Sequence, residues 1–282
     1  MYTMKKLTLL LAALASVAIA VAQVQMPAPS PTQTITQDFG IGKIVLTYSR
    51  PAIKGRTLFA ENSDLAPLGK LWRTGANAAT RISFSDYVTI GGKKLDTGTY
   101  VIYTIPNKTE CTIIINKGVN NAGTDGYKES EDVVRFNVPV KKMEGVAVEN
   151  FTMQFANIQP ERCELNLAWG NNAISIPIST EIKERIKAQI EAALQTDKKP
   201  YWQAANFYFD WDKNNAKALE YVTKAVEENA NAFWMFLLKA KVEKAMGNKA
   251  AAKESAKKCI EVATVAKNDD YVKQANDLIK GL

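Results

Sequence analysis

At 282 residues, with 46% hydrophobic and 23% charged side chains, the chain has room for two hydrophobic cores and is not disordered throughout. It contains no histidine, which removes Ser-His-Asp and Cys-His nucleophiles, histidine-ligated zinc and imidazole acid–base chemistry, and leaves carboxylates, Lys, Tyr or Ser-Lys pairs for any catalysis. The formal charge of +7 includes two lysines at the extreme N-terminus, and neither half has the strong basic bias that nucleic-acid binding needs, so no nucleic-acid partner is expected.

Lys5 and Lys6 precede an apolar run from Leu7 to about Ala20, and Ala20-Val21-Ala22 follows. A basic start, an apolar middle and a small-x-small end predict a signal peptide over 1–22, and hence a periplasmic or secreted chain with no membrane span once cleaved. The same run is long enough for an uncleaved anchor, but its Ala-rich, small-residue end fits cleavage better. No cysteine lies near the cut, so a lipid anchor is not expected. Pro27, Pro29 and Pro31, mixed with Ser and Thr, predict an extended linker over 23–37, with folded structure from about Asp38.

Over 38–178, short β-branched and aromatic runs recur between turn residues, at 43–48, 81–84, 87–90, 100–105, 112–116, 133–138, 151–157, 163–169 and 174–178. Cys163, Leu165, Leu167 and Trp169 alternate, as do Phe151, Met153 and Phe155, which places each set on one buried sheet face. Gly91-Gly92 predicts a tight hairpin, since both glycines tolerate positive φ. Strands without crossover helices predict an all-β antiparallel sandwich or barrel. Cys111, Cys163 and Cys259 form no short-spaced pair, which leaves one disulfide between the first two, or buried thiols, as the open readings.

Two words stand out: Ser49-Arg50-Pro51-Ala52-Ile53-Lys54-Gly55-Arg56 and Leu71-Trp72-Arg73-Thr74-Gly75-Ala76-Asn77-Ala78-Ala79-Thr80. With Val88-Thr89-Ile90-Gly91-Gly92, Gly98-Thr99-Tyr100, Thr104-Ile105-Pro106, Ile115-Asn116-Lys117 and Asp132-Val133-Val134-Arg135, this stretch resembles the domain of unknown function 2911 family of exported bacterial proteins. The resemblance implies export and a β fold, and brings no activity, cofactor or catalytic residue with it. Phe59-Ala60-Glu61-Asn62 departs from it, since the family more often has glycine after the phenylalanine.

The first words gather positive charge in loops, where a rigid scaffold displays binding groups. Arg50, Lys54, Arg56 and Arg73 suit a carboxylate or phosphate, Trp72 a sugar or ring face, and Asn77 a hydrogen bond, which together predict a site for an anionic or glycan ligand of the cell envelope. The competing reading makes Trp72 a core plug, Arg73 a cap for loop carbonyls, and Gly75 and Asn77 turn residues. Asp125, Glu129, Glu131 and Asp132 offer carboxylates for a histidine-free hydrolase of envelope polysaccharide. Their spacing matches no calcium loop, and a solvated loop or an Asp132–Arg135 pair is the alternative; no metal or cofactor is expected.

Past Ile178 the apolar period changes to about 3.6. Ile182, Ile186, Ile190 and Leu194 predict a helix with Ser179 or Thr180 as N-cap, ended by Lys198-Lys199-Pro200. A shift of 34 residues matches Asn214 with Asn248, Ala218 with Ala252, Glu220 with Glu254 and Lys224 with Lys258. That period predicts an all-α tetratricopeptide-like domain over 179–282, with first helices at 201–209 and 233–246, second helices at 215–229 and 249–265, and a capping helix at 269–280. Such arrays hold a protein or peptide, and Tyr201, Trp202, Phe207, Tyr208, Trp211, Phe233, Trp234 and Phe236 serve either that contact or interhelix packing. A non-enzymatic exported binding or scaffold protein is the leading reading.

Overall fold

The computed structural model describes residues 26–282. The expected signal peptide and the first residues of the linker lie outside the described residues. The chain divides into two compact units between Thr180 and Glu181.

The first unit is a sandwich of two antiparallel sheets. One sheet holds β1 (Thr32–Phe39), β2 (Gly42–Ser49), β3 (Thr80–Phe84), β6 (Gly98–Pro106), β7 (Glu110–Asn116) and β8 (Asp132–Pro139) in that spatial order. The other runs β10 (Val148–Gln159), β11 (Arg162–Gly170), β12 (Asn172–Ser179), β4 (Val88–Ile90) and β5 (Lys93–Leu95), with the two-residue β9 (Lys141–Lys142) beside β12. Side chains from both sheets fill the core between them, among them Tyr48, Ile82 and Ile113 from the first and Phe151, Leu165 and Trp169 from the second.

All nine runs predicted from the sequence are strands, but the linker expected over 23–37 is shorter than that. Thr32 to Phe39 pairs along its length with β2, from Thr32↔Ser49 to Phe39↔Gly42. Thr32, Thr34, Ile35 and Thr36 are good strand formers, and as an edge strand the segment keeps one face polar, so it lacks the apolar alternation that marks a strand in sequence. In β6 and β7 the alternation fails for the opposite reason. The inner face meets the second sheet, while Val101, Tyr103 and Ile114 on the outer face are covered by Leu71, Val119 and Tyr127, so nearly every position is buried.

The hairpin from β4 to β5 turns on Gly91 and Gly92, at φ 57 and 76. Gly91 is doubly required, because a Cβ there would lie 2.3 Å from the Phe136 ring on β8. All three cysteines are buried free thiols, and Cys111 and Cys163 lie in the inter-sheet core. Burial pushes the Cys111 thiol up to about 12 and the other two to about 11.

The second unit holds six helices: α1 (Lys183–Ala193), α2 (Tyr201–Asn206), α3 (Asn215–Glu228), α4 (Phe233–Ala245), α5 (Lys249–Val265) and α6 (Asp269–Lys280). Ser179 and Thr180 do not cap α1. Ser179 ends β12, Thr180 Oγ1 donates to Tyr87 O at 3.1 Å, and Ile182 stands at the N-cap without a side-chain bond. After α2 the chain makes a π-helical turn, Phe207–Trp211, so the first long helix expected over 201–209 is split. The 34-residue shift is visible in burial. Ala218, Val222 and Ala225 on α3 are buried, and so are Ala252, Ala256 and Cys259 on α5. The turns repeat as well, with a left-handed residue at Lys213, Gly247 and Lys267, each followed by asparagine at the next N-cap.

Candidate functional site

The two distinctive words of the sequence lie in the one long connection between β2 and β3. After β2, Arg50 N donates to Pro31 O, Phe151 N donates to Pro51 O and Ile53 N donates to Glu149 O, so the chain crosses from the first sheet to β10 of the second. Arg50 is spent on that crossing, its Nε donating to Phe151 O at 3.2 Å and its Nη2 to Thr152 Oγ1 at 2.8 Å. Lys54 is exposed and left-handed at φ 49, and its backbone N–H donates to Glu149 Oε1 at 2.7 Å. Arg56 folds back on its own loop, with Nε 3.1 Å from Ile53 O and Nη2 2.6 Å from Ala52 O.

The Trp-Arg-Thr-Gly-Ala-Asn word is a tightly determined loop. Trp72 exchanges backbone hydrogen bonds with Thr104 of β6 at 2.8 and 3.0 Å, and its indole N–H donates to Gly75 O at 3.1 Å. Thr74, Gly75 and Asn77 all take positive φ, at 56, 151 and 56. Thr80 Oγ1 donates to Thr74 O at 2.6 Å, and Thr74 Oγ1 reaches Thr104 Oγ1 at 3.1 Å, which holds the strained loop in place. Asn77 ties it to the strand approach, its Nδ2 donating to Ser30 O at 3.0 Å, while its own carbonyl accepts from Arg73 Nη1 at 3.1 Å.

Of the six residues singled out from sequence, three meet at one opening. Arg56, Trp72 and Arg73 line a polar pocket of about 290 Å³, together with Asp64, Gly75 and Trp169. Arg50, Lys54 and Asn77 do not line it; they brace the loops that bring the other three together. Among the described residues neither Arg56 nor Arg73 has a carboxylate within ion-pair distance. With five N–H donors per guanidinium, both keep donors to spare beyond those that hold the loops.

Trp72 and Trp169 also line a second cavity, which the sequence reading missed. Their rings stack with centroids 5.6 Å apart and planes 15° apart, and Phe151 meets both edge-on. This cavity, of about 240 Å³, is lined mainly by apolar side chains, including Phe59, Leu167 and Ile174. Its residues come from loops and strands widely separated in sequence; Trp72, Thr104 and Pro106 fall in the distinctive words, whereas Leu167, Ala173 and Ile174 carry no motif.

Among the carboxylates Asp125 and Glu129 are exposed, Glu129 Oε1 lies 3.5 Å from Arg135 Nη2, and Asp132 is held in a network. Its Oδ2 accepts from Tyr127 OH at 2.7 Å and Arg135 Nη2 at 2.9 Å, and its Oδ1 accepts from Asn116 Nδ2 at 2.8 Å. Burial first, then the bond to Asp132, pushes the Tyr127 phenol up to about 12, with Arg135 opposing. This arrangement fixes the 117–131 loop over the outer face of β6 and β7, and the Asp132–Arg135 pair weighed from sequence is present. No group of three Cys, Asp or Glu side chains suited to a metal ion occurs among the described residues.

A two-sheet sandwich with two pockets that share a stacked indole pair in their linings, followed by a helical region, is the class these observations define. The chain belongs to the family described as Protein of unknown function (DUF2911), whose model matches residues 30–178. The match takes in the Thr32 strand, and no curated protein matches the chain.

Proposed function

We propose that this is an exported, non-enzymatic binding protein whose β-sandwich holds the anionic group of a cell-envelope ligand between Arg56 and Arg73. The observation that carries the reading is the convergence of those two guanidinium groups, from distant parts of the β2–β3 connection, on one polar pocket with an indole wall, where neither is ion-paired to the Asp64 that also lines it. Two guanidinium forks suit a planar oxyanion, and the adjoining Trp72 face suits a sugar or ring.

The test is calorimetric titration of the mature chain with phosphate, glucuronate and glutamate, in the native protein and in Arg73→Gln. Glutamine removes the charge while keeping a polar side chain, and an unchanged thermal midpoint of the variant checks that the loop is preserved. A charge-assisted bond of about 1.5–3 kcal/mol predicts a loss of roughly ten- to a hundredfold in affinity for the bound anion. Unchanged affinity, or none for any of the three in the native protein, sinks the reading.

For the helical unit we propose a tetratricopeptide-like array that holds a protein or peptide. The repeat of buried positions at 34 residues and the three alike turns support it. Export would follow from cleavage after Ala22, which N-terminal sequencing of the mature protein checks; an intact Met1 would refute it.

A further inference from the structure

We infer that the sandwich holds a second ligand site, an apolar cavity that takes the tail of a short amphiphile while Lys108 and Lys142 receive its anionic head. The site is separate from the Arg56–Arg73 pocket, and the two readings stand or fall independently.

Three observations converge on it. First, protein interiors are close-packed, with few voids larger than a water molecule, yet here about 240 Å³ stands open beside Phe151, Leu167 and Ile174. Such apolar space is poorly served by water, which needs two to four polar partners, and apolar cavities of this kind take apolar ligands. Second, the charge at the cavity has one sign. Exposed Lys108, on the turn between β6 and β7, and Lys142 on β9 belong to the lining, and no acidic side chain does. Lys142 Nζ donates to Asn172 Oδ1 at 2.6 Å, and neither lysine is in an ion pair among the described residues, so both charges remain available to a carboxylate. Third, the size suits a small apolar group: an apolar protein cavity of about 150 Å³ takes benzene, and this one measures about 240 Å³.

The experiment is calorimetric titration of the mature full chain with octanoate, 1-octanol and octylammonium at neutral pH. Octanoate should bind at least tenfold more tightly than the other two. The double variant Lys108→Gln, Lys142→Gln removes the charges without touching the core, and should bring octanoate down to the level of octanol. Leu68→Trp, which fills the cavity, should abolish binding of both. The inference is overturned if nothing binds, if the three probes bind alike, if the double variant keeps its preference for octanoate, or if a folded Leu68→Trp protein binds as the native one does. Should Leu68→Trp fail to fold, the lysine variant decides. Phosphate or glucuronate bound at Arg73 would be unaffected by the lysine changes, which separates failure of this site from failure of the other.

Discussion

The two units bury their interiors with different mixtures of side chain. The sandwich core is built from large ones, with Trp169, Tyr48 and Phe151 among the most deeply buried. The helices add many alanines to Phe207 and Tyr208, with Ala204, Ala218, Ala240, Ala252, Ala256 and Ala275 all fully buried. Small residues let helix backbones approach closely, whereas the sandwich is filled by rings that stack and meet edge-on, with Trp72 and Trp169 lining two pockets.

The largest effect that would sharpen this contrast is truncation of a sandwich ring. Trp169 is 2% exposed, stacks on Trp72 and donates its indole N–H to Glu149 O at 3.1 Å. Trp169→Ala should cost about 3–5 kcal/mol, read as a fall in the urea midpoint of the β-sheet transition. It should also merge the two pockets, so that octanoate loses the wall against which it packs. A cost under about 1 kcal/mol would mean that the rings are not the core's support.

The helical unit should fail in the other direction, by overfilling. Ala256 on α5 is fully buried, at the position that the 34-residue shift equates with Val222 on α3. Ala256→Leu should destabilise by about 1–3 kcal/mol, seen as an earlier loss of helical circular dichroism on heating. Ala256→Val, which copies the residue at the equivalent position, should cost less. If leucine is tolerated without loss, the helices are not held at alanine distance and the comparison breaks.

Much of this architecture can be read from the residues, because periodicity is set by which face is covered. Phe151, Met153, Cys163 and Leu165 alternate since only one face of β10 and β11 is buried, and Gly91-Gly92 marks its turn since both residues need positive φ. The reading failed where that link is cut. Thr32 to Phe39 is a strand written in threonine and glutamine, and its polarity suits an edge but resembles a linker. Ser179 and Thr180 look like caps, but sheet pairing claims the first and Tyr87 the second. At the site, sequence distance was a fair guide for Arg56, Trp72 and Arg73, which the single connection between β2 and β3 brings together. Arg50, Lys54 and Asn77 have the same chemistry nearby, and only backbone geometry decides that they brace the loops. The apolar cavity was illegible because it is a property of the gap between sheets, where Phe59, Cys111 and Ile174 meet only after folding.

The smallest effect bears on the repeat itself. Asn214, Asn248 and Asn268 occupy equivalent N-caps, but their side chains do not do the same work. Asn214 Oδ1 accepts from Lys217 N at 3.1 Å and Asn268 Oδ1 from Tyr271 N at 3.2 Å, while Asn248 makes no side-chain cap bond. An N-cap asparagine that satisfies an otherwise unpaired helix N–H is worth about 1 kcal/mol, and one that does not should be worth little. Asn214→Ala should therefore lower helical stability by about 1 kcal/mol, and Asn248→Ala by a few tenths at most. Equal costs would show that the turns are equivalent in energy as well as in sequence, with the cap bond supplied at all three in solution. Unequal costs would show that a 34-residue repeat can keep its letters while one copy drops the side-chain cap, since the backbone bond that closes the preceding helix is common to all three turns, from Asn214 N to Tyr208 O, Asn248 N to Glu243 O and Asn268 N to Ala263 O.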